Sequence, residues 1–170
     1  RYEPCVVKQE ETADPNMATS DKMIGSSAAW AAGYTGAGSR IAIIDTGADV
    51  DHPSLDPDAL KYALQGSNAT IMTEADLTDE VLNQLNAYTR KAGLTAADFY
   101  VNEKIPFGFN YVDADTDITH DNDTQGDHGS HVTGIAAGNR FVKDEAGNYV
   151  AALDSVMTQG VAPDAQILTM

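Results

Sequence analysis

Asp45 and His128 are the two residues of this chain whose types and settings suit acid–base chemistry. Asp45 directly follows the apolar run at residues 41–44, where a carboxylate is costly to bury unless another group pairs with it. His128 precedes Gly129 and a segment of small residues, so its imidazole can lie at the start of a closely packed helix. A histidine whose tautomer is set by a carboxylate can act as a general base. The pair therefore predicts two members of a nucleophile, base and orienting-carboxylate arrangement.

Both residues also have alternative interpretations. Asp45 could cap the turn that follows its strand. His128 and His131 are three residues apart, so together with Asp45 or Asp127 they could hold zinc in a zinc-dependent hydrolase. However, the sequence lacks the HExxH pattern of zinc metalloproteases, and a glycine after His128 suits close packing better than ligand display. We expect no catalytic metal, and we expect His131 to be a partly buried helix residue with a local hydrogen bond.

The elements that must position Asp45 and His128 alternate between strands and helices, which predicts an α/β fold with a mainly parallel sheet. The predicted strands cover residues 40–45, 107–112 and 167–170, and the predicted helices cover residues 26–33, 77–93 and 132–138. The run at 40–45 is apolar on both faces, which is typical of a buried parallel strand. Asp45 ends this strand, and active sites of open α/β sheets gather at that edge.

The remaining segments indicate how the chain is organised. Residues 1–20 are polar and have no sustained period, so we expect an N-terminal tail or linker there. Residues 57–104 form a longer connection, which we interpret as a helical insertion around the helix at 77–93. Ser26 and Thr78 are the expected N-caps of the first two helices. Residues 139–159 are expected to form a polar loop.

Composition excludes some classes of function. The 170 residues contain 26 acidic and 10 basic side chains, giving a formal net charge of −16. Such a surface repels nucleic acids and anionic membranes, and no apolar run reaches the length of a membrane span. The charge serves solubility, or some carboxylates bind calcium.

Cys5 is the only cysteine, so no internal disulfide is expected. The chain starts at Arg1 without a signal peptide, which indicates a processing site or an arbitrary boundary.

Three motifs, in the same order, resemble those of the subtilase (peptidase S8) family. Residues 43–53 resemble the aspartate motif, residues 128–134 the histidine motif, and residues 160–165 the segment before a core strand. Residues 104–113 resemble the cell-envelope branch that includes lactocepin. The resemblance implies a subtilisin-like three-layer sandwich whose N-terminal portion is residues 21–170, with a propeptide remnant or linker at 1–20. It also implies a secreted or cell-wall-associated protein of a Gram-positive bacterium.

The resemblance implies a serine endopeptidase that acts on protein or peptide substrates. By this resemblance His128 accepts the proton of the nucleophilic serine, and Asp45 orients the imidazole. No serine of this chain lies in a Gly-Thr-Ser motif, so the serine and the oxyanion-hole asparagine are expected after Met170 or on another chain. This chain alone should then be inactive, and the C-terminal part of the peptidase domain is its expected partner. A catalytically inactive binding domain with the same fold is the alternative.

A structural calcium ion is an open question at two places. Many subtilases bind calcium through an aspartate after the Asp-Thr-Gly motif and through a loop after the histidine helix. This chain has Ser54 at that aspartate position, and its residues 139–159 do not resemble the ligand loop. The acidic run at 113–123 lacks the glycine and glutamate of an EF-hand loop, so we expect a solvated loop beside the active site. No cofactor is expected for the chemistry.

Overall fold

The computed structural model describes residues 18–119, 127–155 and 158–170. The strands in these ranges are β1 (Arg40–Ile43), β2 (Phe107–Gly108), β3 (Phe141–Lys143), β4 (Tyr149–Ala151) and β5 (Gln166–Thr169). The helices are α1 (Ala18–Ile24), α2 (Ser26–Ala31), α3 (Pro57–Ala63), α4 (Asp79–Tyr88), α5 (Ala96–Phe99) and α6 (His128–Ala137). The tail predicted at 1–20 lies almost wholly outside the described residues.

The sheet that carries Asp45 has the order β1-β5-β2, and both pairings are parallel. In its register Ile43 is opposite Thr169, and Phe107 is opposite Leu168. β5, the last of the described strands, is therefore the central one, and because both of its neighbours are parallel to it, the chain reaches it through crossover connections. All three strands direct their carboxyl ends to one edge.

Helices cover this sheet on both faces. On one face Ile43 and Ile167 are buried against Ala137 of α6. On the other face Phe107 and Phe109 are buried with Phe99 and Leu77, and Leu82, Leu85, Leu168 and Met170 pack around them. Successive side chains of a strand point to opposite faces, which explains why Ile167 and Leu168 belong to different clusters. The predicted α/β fold with three layers and a parallel sheet is confirmed.

The segment at 57–104 contains α3, α4 and α5, and their ends follow local capping rules. Asp56 accepts a hydrogen bond from the backbone N–H of Asp58 before α3, and Thr95 forms a capping box with Asp98 at α5. The helix predicted at 77–93 is shorter than expected, because Arg90, which follows the C-cap residue Thr89 of α4, adopts a left-handed conformation with φ of 57°. Thr78 lies at the N-cap of α4, but its side chain makes no capping hydrogen bond.

The polar loop predicted at 139–159 contains regular structure that the sequence did not reveal. The described residues of this segment include an antiparallel hairpin of β3 and β4. The ring of Tyr62 in α3 stacks on Tyr149 at 4.5 Å between centroids and meets Phe141 edge-on at 5.0 Å. Strands of three residues are too short to show a reliable alternation in sequence, so the pattern did not reveal them.

Three smaller predictions also need correction. Gly25, with φ of 85°, occupies the N-cap of α2, and Ser26 is buried instead of capping. The strand predicted at 107–112 ends after Gly108, because the chain turns between Asn110 and Asp115. Ile44, in the run predicted to be buried, is 80% exposed. No helix in the described part of the chain is long and apolar enough to span a membrane.

Candidate active site

Asp45 lies directly beyond the sheet edge at which the parallel strands end. Its backbone N–H continues the pairing by donating to the Met170 carbonyl at 3.1 Å. Its carboxylate Oδ1 accepts a hydrogen bond from the backbone N–H of Thr46 at 2.8 Å, and the side chain is 17% exposed. The strand and the following turn therefore restrain this carboxylate.

His128 is the first residue of α6, and its ring meets the same carboxylate. The distance between His128 Nδ1 and Asp45 Oδ1 is 2.7 Å, although 83 residues separate the two in sequence. The histidine side chain is 68% exposed. Because Nδ1 is engaged by Asp45, exchange of a proton with any other group must use Nε2. This is the arrangement required of an oriented general base.

The electrostatics of the pair favour an ionised aspartate. The pKa of Asp45 is held below its usual value, mainly by the hydrogen bond with His128 and next by the backbone N–H of Thr46. Burial opposes this shift but is the smaller effect. An anionic Asp45 can stabilise the positive charge that develops on His128 when the imidazole accepts a proton.

The start of α6 lies close to the turn after β1 because the two backbones are in direct contact, with no side chain between them. Gly129 is buried, and a Cβ atom on it would overlap the carbonyl oxygen of Gly47. The backbone N–H of Gly129 donates to Thr46 Oγ1 at 3.0 Å. Glycine at position 129 thus permits the approach that lets His128 reach Asp45.

A cavity of about 480 Å³ opens beside Asp45 at the carboxyl ends of the three strands. Its walls are mainly apolar, with Phe109, Ile118 and Met170 among the lining residues. Asp113 and Asp117 also line it, so the predicted acidic stretch reaches the site through its described part, residues 113–119.

The other candidate ligands from the sequence do not join this pair. His131 is exposed, which corrects the expectation that it would be partly buried. Its backbone N–H bonds the carbonyl of Asp127. Within the ranges that the structure covers, no three His, Cys, Asp or Glu side chains are grouped to hold a metal ion. His120 lies outside those ranges.

The two segments considered for calcium differ in what surrounds them. Ser54 accepts a hydrogen bond from Asn139 through its carbonyl, and Lys143 lies 3.1 Å from the carboxylate of the neighbouring Asp56. In the acidic stretch, Asp115 and Asp117 cap backbone N–H groups two residues ahead, and residues 120–126 are outside the described chain. A calcium ion stays an untested alternative at either place.

Hydroxyl contacts across the site were not predicted from the sequence. Thr46 bonds Gly129, and Ser130 accepts a hydrogen bond from the backbone N–H of Asp49 at 2.8 Å. The only signal available in the sequence was that Thr46 directly follows Asp45 and that Ser130 lies two residues after His128. Contacts between a side chain and a distant backbone group produce no periodic pattern in the sequence.

Comparison with known proteins agrees with the resemblance seen in the motifs. The profile of the subtilase family matches residues 36–170. The chain is 33% identical over 161 residues to the PII-type proteinase of Lactococcus lactis subsp. cremoris, covering 92% of this chain and 7% of that protein. It is 29% identical over 168 residues to the minor extracellular protease Vpr of Bacillus subtilis, covering 96% and 13%.

The chain thus spans only a small part of the length of these relatives. The match nevertheless includes both segments that form the site, the turn after β1 and the start of α6. With the parallel sheet and the paired Asp45 and His128, it leads to one conclusion: this chain belongs to the subtilase family, and resembles the branch of the lactococcal proteinases.

Proposed function

We propose that this chain is part of a serine endopeptidase and supplies Asp45 and His128 of its catalytic triad. The observation that carries the proposal is the 2.7 Å contact between His128 Nδ1 and the Asp45 carboxylate at the carboxyl edge of a parallel sheet. In the reaction, His128 Nε2 accepts the proton of the serine hydroxyl as the serine attacks the peptide carbonyl. His128 later returns the proton to the leaving amine, and Asp45 stabilises the imidazolium between these steps.

The serine and the oxyanion-hole residue are proposed to lie in a further segment that packs on β1. This strand is an edge strand in the described sheet. Ile43 and Asp45 direct their backbone groups to β5, so those of Ala42 and Ile44 face away from it. Ile44, whose side chain projects to the face opposite Ile43, is also 80% exposed. An unpaired apolar strand beside the catalytic pair is a suitable place for another strand.

The substrate class is protein or peptide, and the proposed location is outside the cell or at the cell wall. One of the matched relatives is itself called an extracellular protease. The chemistry assigned to Asp45 and His128 needs no cofactor. Side-chain specificity depends on pockets that the proposed further segment would help to build.

A fluorophosphonate probe, which reacts with activated serines, tests this function on the full-length protein. We expect rapid labelling of one serine, and a loss of about 10⁴-fold in labelling rate in His128→Ala because the base is removed. His131→Ala is the matched control, since this exposed histidine lies on the same helix without contacting Asp45. It should label at the wild-type rate.

Two results would replace the proposal with an alternative. Absence of any labelled serine, with no hydrolysis of protein substrates, would identify a binding domain that keeps the fold without the reaction. Hydrolysis that survives serine-directed inhibitors but is lost with a chelator would identify a metal-dependent hydrolase.

A further inference from the structure

Three consecutive residues at the start of α6 each contact the turn that follows β1. His128 meets Asp45, and Gly129 meets Thr46 and Gly47. Ser130 completes the series, because its Oγ accepts a hydrogen bond from the backbone N–H of Asp49 at 2.8 Å. The helix and the turn are therefore joined over a short stretch of each, although about eighty residues separate them in sequence.

The Ser130 hydroxyl is not engaged in capping its own helix. Asp127 occupies the N-cap of α6, and it makes no side-chain capping hydrogen bond. Ser130 is the third residue of the helix, and its acceptor oxygen is directed instead to the backbone of a distant turn. Such a bond constrains the position of the helix relative to the turn, which a capping bond would not do.

His128 needs such a constraint because its own side chain is packed against little of the protein. Its side chain is 68% exposed, and the next residue, Gly129, has no side chain that could hold the helix start. The Thr46 hydroxyl accepts a hydrogen bond from the backbone N–H of Gly129, and the backbone N–H of Thr46 donates to Asp45 Oδ1 at 2.8 Å. Thr46 thus links the residue after His128 to Asp45, and Ser130 adds, after His128, the first side-chain contact from the helix itself to the turn.

We infer that Ser130 is a positioning residue for the proposed reaction: with Thr46, it fixes α6 against the turn after β1 so that His128 Nδ1 stays in contact with Asp45. Only the effect of Ser130 on the reaction rate rests on the proposed function. The geometric effect on His128 and Asp45 holds whether or not the protein is an enzyme.

The expected size of the effect follows from the geometry. Removing the Ser130 hydroxyl leaves the N–H of Asp49 without its acceptor and frees the helix start to move by a fraction of an ångström. Catalysis is sensitive to displacements on this scale. We expect a fall of about tenfold in kcat for Ser130→Ala with KM nearly unchanged, because the residue does not contact substrate in this account.

Three variants of the full-length protein test the inference. Ser130→Ala removes the hydroxyl, Ser130→Thr retains it, and Thr133→Ala is the control. Thr133 lies on the same helix, and its buried hydroxyl has no hydrogen-bond partner in the described structure. Should Ser130→Ala fail to fold, Ser130→Cys serves in its place, since a thiol keeps the volume but accepts hydrogen bonds weakly.

Two readouts are needed: kcat and KM on a peptide substrate, and the low-field proton resonance of the hydrogen bond between His128 Nδ1 and Asp45. We expect Ser130→Ala to lower kcat and to weaken or shift the resonance, Ser130→Thr to restore both, and Thr133→Ala to leave both at wild-type values. An unchanged resonance and kcat in Ser130→Ala, or a Ser130→Thr variant as impaired as Ser130→Ala, would overturn the inference. If the wild-type protein has no activity, the proposed function fails, and the resonance alone still decides the role of Ser130.

Discussion

Single residues of the site could be selected from the sequence, but their contacts could not. Asp45 was conspicuous as a carboxylate after an apolar run, and His128 as a histidine before a glycine. The 2.7 Å distance between them depends on a fold that joins positions 83 residues apart. The sequence pattern marked the glycine at 129, and the structure explains it: the Gly47 carbonyl leaves no room for a Cβ.

Gly129→Ala should therefore disrupt the site. The added methyl group would overlap the Gly47 carbonyl, so the helix start has to move away from Asp45. We expect a loss of about 2–3 kcal/mol in the free energy of unfolding and at least a hundredfold loss of kcat/KM. Thermal unfolding and peptide hydrolysis by the full-length protein measure the two effects.

Gly134→Ala is the control for this variant, because Gly134 lies in the same helix with nothing within 4 Å of its added Cβ. Alanine favours a helix interior by about 1 kcal/mol over glycine, so this variant should be neutral or slightly more stable. Equal behaviour of the two variants would contradict the close-approach argument.

At the scale of elements, the sequence predicted best the helix and the strand that adjoin the recognised motifs, although α6 begins at His128, one turn before the predicted helix. The helix of small residues and the last strand were found at nearly the right positions as α6 and β5. β2 and the β3–β4 hairpin were misjudged because strands of two or three residues carry no usable alternation. Hydrogen bonds from side chains to distant backbone groups could not be predicted from the sequence either, and those of Lys104 are the clearest example.

Lys104 hydrogen-bonds, from within the core, to the backbone just before β5. It is fully buried, and its Nζ donates to the carbonyls of Pro163 and Ala165 at 2.9 and 2.8 Å. Burial lowers its pKa to about 7, and the charge of nearby Asp164, itself paired with Arg140, only partly opposes this. The unfolded chain, with its lysine pKa near 10.5, binds more protons between those two values.

The free energy of unfolding should consequently rise as pH increases from about 7 to 10.5, by up to about 4 kcal/mol from this group. Below pH 7 Lys104 is charged in both states and its contribution stays at its minimum. Lys104→Met, which has no titrating group, should lack this rise. The difference between wild type and variant, measured by denaturant unfolding at pH 7 and pH 10, isolates the contribution of Lys104. An identical pH dependence in both proteins would refute the assignment.

For the whole molecule, the order of three motifs predicted the family and the parallel sheet, which the structure and comparisons confirm. The residues around the sheet did not reveal which surfaces are covered, because an apolar strand has the same pattern on a buried or an open face. Ile44 illustrates this, as it belongs to the apolar run and is 80% exposed. Our proposal that a serine-bearing segment packs on β1 accounts for that exposure.

Ile44→Lys tests this arrangement in the full-length protein. If another strand covers β1, the charge is placed in an interface, and unfolding should require about 3 kcal/mol less free energy. Tyr88→Lys, at a position 77% exposed on α4, should change stability by less than about 1 kcal/mol. Small effects of similar size in both variants would show that β1 stays open.

If Asp45 orients His128 and stabilises its protonated form, the kcat of Asp45→Asn in the full-length protein must show it. Asparagine keeps the shape of the side chain but removes the negative charge that stabilises the imidazolium. We predict a fall in kcat of about 10⁴-fold with unchanged thermal stability, whereas Asp49→Asn in the same turn should stay within about threefold of wild type. Asp45→Asn with a kcat close to that of wild type would contradict the account.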